Sequence, residues 1–275
     1  MLNQFSDPII AIRLINILVL ITVCINSSEI IFSYKNYTNN DIFDWEVLKY
    51  ESLKRFDGKR ASFLNFLYRF PNYIFAVGIL LVLSLISIAI LFRHDLPIWL
   101  NASLLLLILM IHYRTGFGMD GADQLTGIIL FALLLGRLGN TPLTYQACIW
   151  FIALQSVLSY FTAGYFKLIS PVWQNGSALS GVMNSVGYGH KDFSVFLIKR
   201  KWASLILSWM LIVFEVSFPL SLFFGKSGAI IFIIGGIIFH FLNAMIMGLN
   251  NFFWAFVATY PAIIFAAIQV RNYIN

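Results

Sequence analysis

Long apolar runs recur along the whole chain, and they constrain its fold more than any motif does. About 20 apolar residues in helical conformation cross a bilayer, and backbone groups immersed in hydrocarbon must pair with one another. Such runs therefore fold either as helices or as a closed barrel. A membrane barrel alternates apolar and polar residues with period two. Here the runs are unbroken, as in Ala229-Ile230-Ile231-Phe232-Ile233-Ile234, so the barrel is excluded. Composition agrees: 60% of residues are hydrophobic and 11% charged, against about 25% charged in soluble domains. The sequence predicts an all-α fold, a polytopic transmembrane helical bundle of about eight spans with short interfacial or re-entrant helices. It predicts a single integral membrane domain over residues 1–275.

The eight predicted spans are 9–32, 73–92, 98–113, 125–138, 145–168, 202–224, 229–247 and 252–270, with seven as the nearest alternative. The first reads as an anchor, since no small-x-small cleavage site follows it. Pro97 breaks the chain before the third, and Tyr260-Pro261 is expected to interrupt the eighth. Between the first two spans, Trp45, Leu48 and Phe56 against Glu46, Lys49 and Lys54 suggest one or two short interfacial helices. Residues 169–201, with Pro171, Trp173 and the cluster Lys199-Arg200-Lys201, read as a re-entrant or interfacial segment with a basic anchor. The net charge of +6 follows from such loops. Its expected partner is the lipid bilayer and not a nucleic acid. Cys24 and Cys148 lie inside apolar runs and form no C-x-x-C pair, so they read as packing residues.

An ionisable side chain inside a membrane helix costs about 2.5 to 3.5 kcal/mol and needs a partner or a task. Three residues raise that question: Lys167, Glu215 and His240. On the helix ending at Leu168, Tyr160, Gly164 and Lys167 share one face, a phenol, a gap for close backbone approach and an amine. His240 and Asn243 share a face of their own helix. One reading is a hydrogen-bonded network that fixes helix register. The other is convergence on a reaction centre, where desolvation leaves part of Lys167 as free amine able to act as a base, with His240 and Glu215 orienting it or relaying protons. Asp120 and Asp123 beside glycines could bind a cation, although an aspartate just before an apolar helix is more often its N-cap. No metal site is expected.

Tyr160-Phe161-x-Ala163-Gly164-x-x-Lys167-Leu168, then Trp173 and Gly176, and further on Phe239-His240-x-x-Asn243 ahead of Tyr260-Pro261, resemble a known family. They are similar to the membrane domain of the horizontally transferred transmembrane (HTTM) superfamily, which includes the vitamin K-dependent γ-glutamyl carboxylases. The resemblance runs from about Asp120 to Pro261. The segment Asp120-Gly121-Ala122-Asp123-Gln124 is most similar to the bacterial branch of sporulation-delaying protein maturation factors. The resemblance implies Lys167 as base toward a hydroquinone, so a quinone or hydroquinone cofactor is implied by it alone. Lys167, His240 and Glu215 are the expected catalytic set; Tyr160, Gly164, Trp173, Asn243, Asp120 and Asp123 are expected on the substrate side. Where the carboxylases have Asn-His pairs, this chain reads Asp123-Gln124-Leu125 and Gly139-Asn140, so full carboxylase chemistry is not implied.

The bacterial branch implies help in maturing a secreted antimicrobial or toxin peptide, by modification, processing or export. A secreted precursor peptide and a small partner protein are then the expected partners, in the cell membrane. A quinone-dependent carboxylase-like enzyme, a toxin immunity protein and a small-molecule transporter are the alternatives. The chain has no evident inverted repeat, which counts against the transporter.

Overall fold

The computed structural model describes residues 6–38, 41, 43–52, 58–114 and 120–274. All regular structure among them is helical. Seven helices are long and apolar enough to cross a membrane: α1 Pro8–Phe32, α4 Asn72–Leu91, α6 Gly121–Gly139, α7 Pro142–Leu168, α11 Lys201–Ser217 with its 3-10 extension to Leu222, α12 Gly225–Met247 and α13 Asn250–Ile274. The eighth expected span is α5, Ile98–Arg114, with 17 residues. It falls short of the about 20 residues that span hydrocarbon. Shorter helices complete the order: α2 Trp45–Ser52, α3 Gly58–Tyr68, α8 Pro171–Gln174, α9 Ser177–Met183 and α10 Lys191–Lys199. Of the residues expected on the first interfacial helix, Trp45 and Leu48 lie on α2, whereas Lys54 and Phe56 lie outside the described residues.

Two of the departures from expectation are an earlier start and an uninterrupted helix. Helix α6 starts four residues before the expected span because Asp120 caps it. Its carboxylate accepts from the N–H groups of Ala122 and Asp123, both at 2.9 Å, while the Asp123 carboxylate accepts from the Asp120 N–H at 3.4 Å. Three orphan donors at the helix start are thereby satisfied. Helix α13 is not interrupted at Tyr260-Pro261 but runs through Pro261. Proline removes one N–H from the ladder, and membrane helices tolerate this where neighbouring groups compensate.

The chain packs as two compact units, Arg13–Tyr145 and residues 146–274 with 6–12. In the first, α4 packs on α5 and α5 on α6, while α2 and α3 lie against α5 and α4. Helix-borne hydroxyls inside it are satisfied locally: Ser84, Ser87 and Thr126 donate to carbonyls one turn back. In the second, α13 is the central element, packed on α12 and on the 3-10 turn Phe218–Leu222. Ala258, Ala262 and Ala266 recur every fourth residue on α13 and are fully buried, which lets neighbouring backbones approach closely. The chain is a multi-pass membrane protein.

Candidate functional site

The site grows from the face of α7 that the sequence singles out. At Gly164 a β-carbon would fall 2.7 Å from both the Glu215 Cβ and the Val216 backbone nitrogen. Only glycine therefore permits this approach of α7 to α11. One turn along α7, the approach delivers Glu215 to Lys167. The Lys167 Nζ donates to both carboxylate oxygens, at 2.6 and 2.9 Å, with the Ala163 carbonyl at 3.5 Å. The Glu215 side chain is 3% exposed and that of Lys167 20%, so the pair is buried at the acid end and reaches out only along the lysine stem.

A corner after α7 covers the amine. The Trp173 ring lies with its centroid 5.3 Å from Nζ, within cation–π range. Three hydrogen bonds hold that corner: Ser204 Oγ donates to the Gly176 carbonyl at 2.6 Å, Trp209 Nε1 to that of Gln174 at 3.1 Å, and Gln174 Nε2 to that of Leu168 at 2.6 Å. Gly176 has φ +79°, and a β-carbon there would sit 2.7 Å from the Leu205 Cα. Both the conformation and the contact require glycine.

Toward the middle of α7, Tyr160 stacks on Phe218 with centroids 3.7 Å apart, and its hydroxyl hydrogen-bonds that of Tyr260 at 3.0 Å. Gly236 makes room for the two phenols: a β-carbon there would lie 2.5 and 2.8 Å from their oxygens. One turn further on α12, His240 stacks on Phe256 at 4.2 Å and meets Tyr160 edge-on at 5.5 Å. His240 is buried, and among the described residues neither ring nitrogen has a hydrogen-bond partner. Tyr160, Gly164, Lys167, Trp173 and Glu215 thus meet, and His240 joins them through Tyr160. Asn243 lies in the last turn of α12, where its carbonyl accepts from the Leu249 N–H at 3.3 Å. No hydrogen bond of its side chain ties it to the others among the described residues.

Asp120 and Asp123 belong to the other unit, where they form the cap of α6 described above. Burial raises the Asp120 carboxyl above its ordinary range, and the N–H groups of Asp123 and Ala122 partly offset this. His112 Nε2 lies 3.7 Å from the Asp123 carboxylate.

The same unit holds a polar centre that sequence reasoning missed. Arg114, the last residue of α5, is fully buried. Its Nε donates to the Tyr68 carbonyl at 3.0 Å and its Nη2 to the Phe43 carbonyl at 2.8 Å. The rings of Tyr73, Tyr37 and Trp45 surround the guanidinium at 4.2, 5.2 and 5.9 Å. An arginine at a helix end ordinarily reads as a snorkelling residue, so only the aromatic richness of residues 34–73 signalled the cage. Tyr260 was visible in the sequence as part of a motif, but its bond to Tyr160 was not.

Chemically, the Lys167–Glu215 pair is neutral whichever partner holds the shared proton, and that neutrality makes its burial tolerable. It can pass that proton to a third group if another is returned. A hydroquinone would have to compete with Glu215 for the Lys167 amine. The amine already engages both Glu215 oxygens and, at 3.5 Å, the Ala163 carbonyl, with the Trp173 ring 5.3 Å away, so an incoming proton acceptor would have to displace one of these contacts.

Fold and site define an all-α multi-pass membrane protein with a buried lysine–glutamate centre. No family model, curated protein or solved structure matches the chain.

Proposed function

We propose that this chain is an HTTM-type protein of the bacterial cell membrane that assists maturation of a secreted antimicrobial or toxin peptide, with Lys167–Glu215 as its proton-transfer pair. Support for the peptide comes from the resemblance carried by Tyr160–Lys167 and Phe239–Asn243. Support for chemistry rests on one observation: both Glu215 oxygens engage Lys167, the last residue of the first of those segments. A carboxylate–amine pair with Trp173 over its exposed end can give a proton to a peptide group and recover it, which fits modification or processing.

The test looks for a small secreted precursor encoded beside the protein, co-produces the two and compares the mass of the exported peptide. Lys167→Ala alone is a poor probe, because it strands a buried carboxylate. The double variant Lys167→Met/Glu215→Leu removes both charges, and apolar replacement of a buried pair is often neutral or stabilising. The reading expects normal amounts of the double variant in the membrane and loss of the mature peptide mass. Mature peptide at wild-type levels from that variant would end the proton-transfer role.

A further inference from the structure

Helix α10 is amphipathic in an unusual way. Its inner side, Leu197 and Ser194 with Phe193, packs toward Leu179 and Met183 of α9. Its outer side is also apolar: Val195, Phe196 and Ile198 are exposed, and Trp202 just beyond is 62% exposed. Among these lie Lys191, Lys199, Arg200 and Lys201, four cations against the single acid Asp192. The Arg200 guanidinium lies 5.2 Å from the Phe196 ring centroid, so cation and apolar surface form one patch. The next element, α11, begins at Lys201 and is long and apolar enough to cross a membrane. The patch therefore lies where the chain enters hydrocarbon.

We propose that the outer face of α10 with the Lys199–Lys201 turn is a docking surface for an anionic phospholipid leaflet. Phe196, Ile198 and Trp202 sit at the level of glycerol and upper acyl chain, and the cations meet phosphate-bearing headgroups of net negative charge. Exposed apolar side chains in a short helix outside the spans are costly in water and stable at the interface. The cation excess selects an acidic leaflet over a zwitterionic one, each cation contributing about fivefold near an anionic surface. Leu197 and Trp173 pack against the same cluster, so the docked helix also braces the corner over Lys167.

The experiment is native mass spectrometry of the full chain in detergent with equimolar phosphatidylglycerol and phosphatidylcholine. Wild type should retain phosphatidylglycerol preferentially, and Lys199→Gln/Arg200→Gln/Lys201→Gln should reduce that preference at least tenfold with unchanged helical circular dichroism. Lys199→Arg/Lys201→Arg should preserve it, and Phe196→Ser/Ile198→Ser should weaken it with all cations present. Equal retention of the two lipids by wild type would overturn the proposal. So would a preference that survives the triple substitution, which would put the acidic lipid elsewhere. If the triple variant loses helicity, the conservative and apolar pairs decide alone: a lost preference in the first, or an unchanged one in the second, counts against it.

Discussion

Lys167 and Arg114 are both cations held inside this protein, and they are held by opposite means. Lys167 is matched by a carboxylate that offers both oxygens at 2.6 and 2.9 Å. Arg114 hydrogen-bonds to two backbone carbonyls and is enclosed by three aromatic rings; the Asp44 carboxylate attracts it electrostatically, but no carboxylate is hydrogen-bonded to it among the described residues. The chemistry of the two side chains explains the difference. An ammonium is a compact, strongly hydrated charge that needs a counter-charge when water is withdrawn, whereas a guanidinium is delocalised, weakly hydrated and able to stack on π faces. A neutral pair can exchange a proton; a permanently charged arginine in an aromatic cage can only hold structure. The first centre is therefore suited to chemistry and the second to clamping Phe43, just before α2, and Tyr68, the last residue of α3, onto the end of α5.

Arg114→Lys breaks the comparison most sharply. It retains the charge and discards the planar fork, leaving an ammonium among rings with only the attraction of the nearby Asp44 carboxylate to offset its lost hydration. An uncompensated buried charge costs about 3 to 5 kcal/mol, and with full burial partly offset by Asp44 we expect about 4. The midpoint of denaturant unfolding in mixed micelles checks this; a small shift would mean that the cage does not discriminate the two cations.

Glu215→Gln should cost less, about 3 kcal/mol on the same scale. Its stranded partner is 20% exposed and can swing its amine toward water or headgroups. Adding Lys167→Met to Glu215→Gln should recover much of the loss. A double variant no more stable than the single one would show that Glu215 is held by something other than Lys167.

Gly164→Ala comes next, at about 2 kcal/mol, within the range for overpacking. Its new methyl meets the Glu215 Cβ and the Val216 backbone nitrogen, and backbone cannot rotate away. Helix α11 must then withdraw, so the Lys167–Glu215 distance should lengthen. Peptide maturation should fall out of proportion to stability. Equal small losses in both would mean that α11 absorbs the methyl without moving Glu215.

What the sequence made legible follows from the range of each interaction. The helices, the capping aspartate and the shared face of Tyr160, Gly164 and Lys167 depend on neighbours within a few residues, and all could be read. That Lys167, Glu215 and His240 each needed an explanation was equally visible, because charge inside apolar sequence is costly wherever the chain folds. Their actual partners were not. Glu215 is 48 residues from Lys167 and Tyr260 is 100 from Tyr160, and nothing local records such pairings. Arg114 was illegible for a different reason: its position at a helix end is ordinary, and only the fold turns it inward. The continuity of α13 through Pro261 likewise depends on packing that local propensity does not contain.

His240 carries the smallest expected effect on stability and the sharpest separation of roles. A buried imidazole with both nitrogens unpartnered loses their hydration and recovers no hydrogen bond, which costs about 1 to 3 kcal/mol for each unsatisfied group. Phenylalanine has nearly the same shape and would keep the stacking on Phe256 and the edge contact with Tyr160. His240→Phe should therefore leave stability unchanged or raise it by about 1 kcal/mol, since it removes unsatisfied groups without opening a cavity. A residue kept for packing alone would show no further consequence. If His240 instead serves the substrate, the same variant should be stable and defective in maturation. His240→Asn, which restores a polar group but not a titratable one, should then fail as well. A destabilised His240→Phe protein would show that the imidazole has a structural partner after all, and His240 would join Arg114 among the residues that clamp.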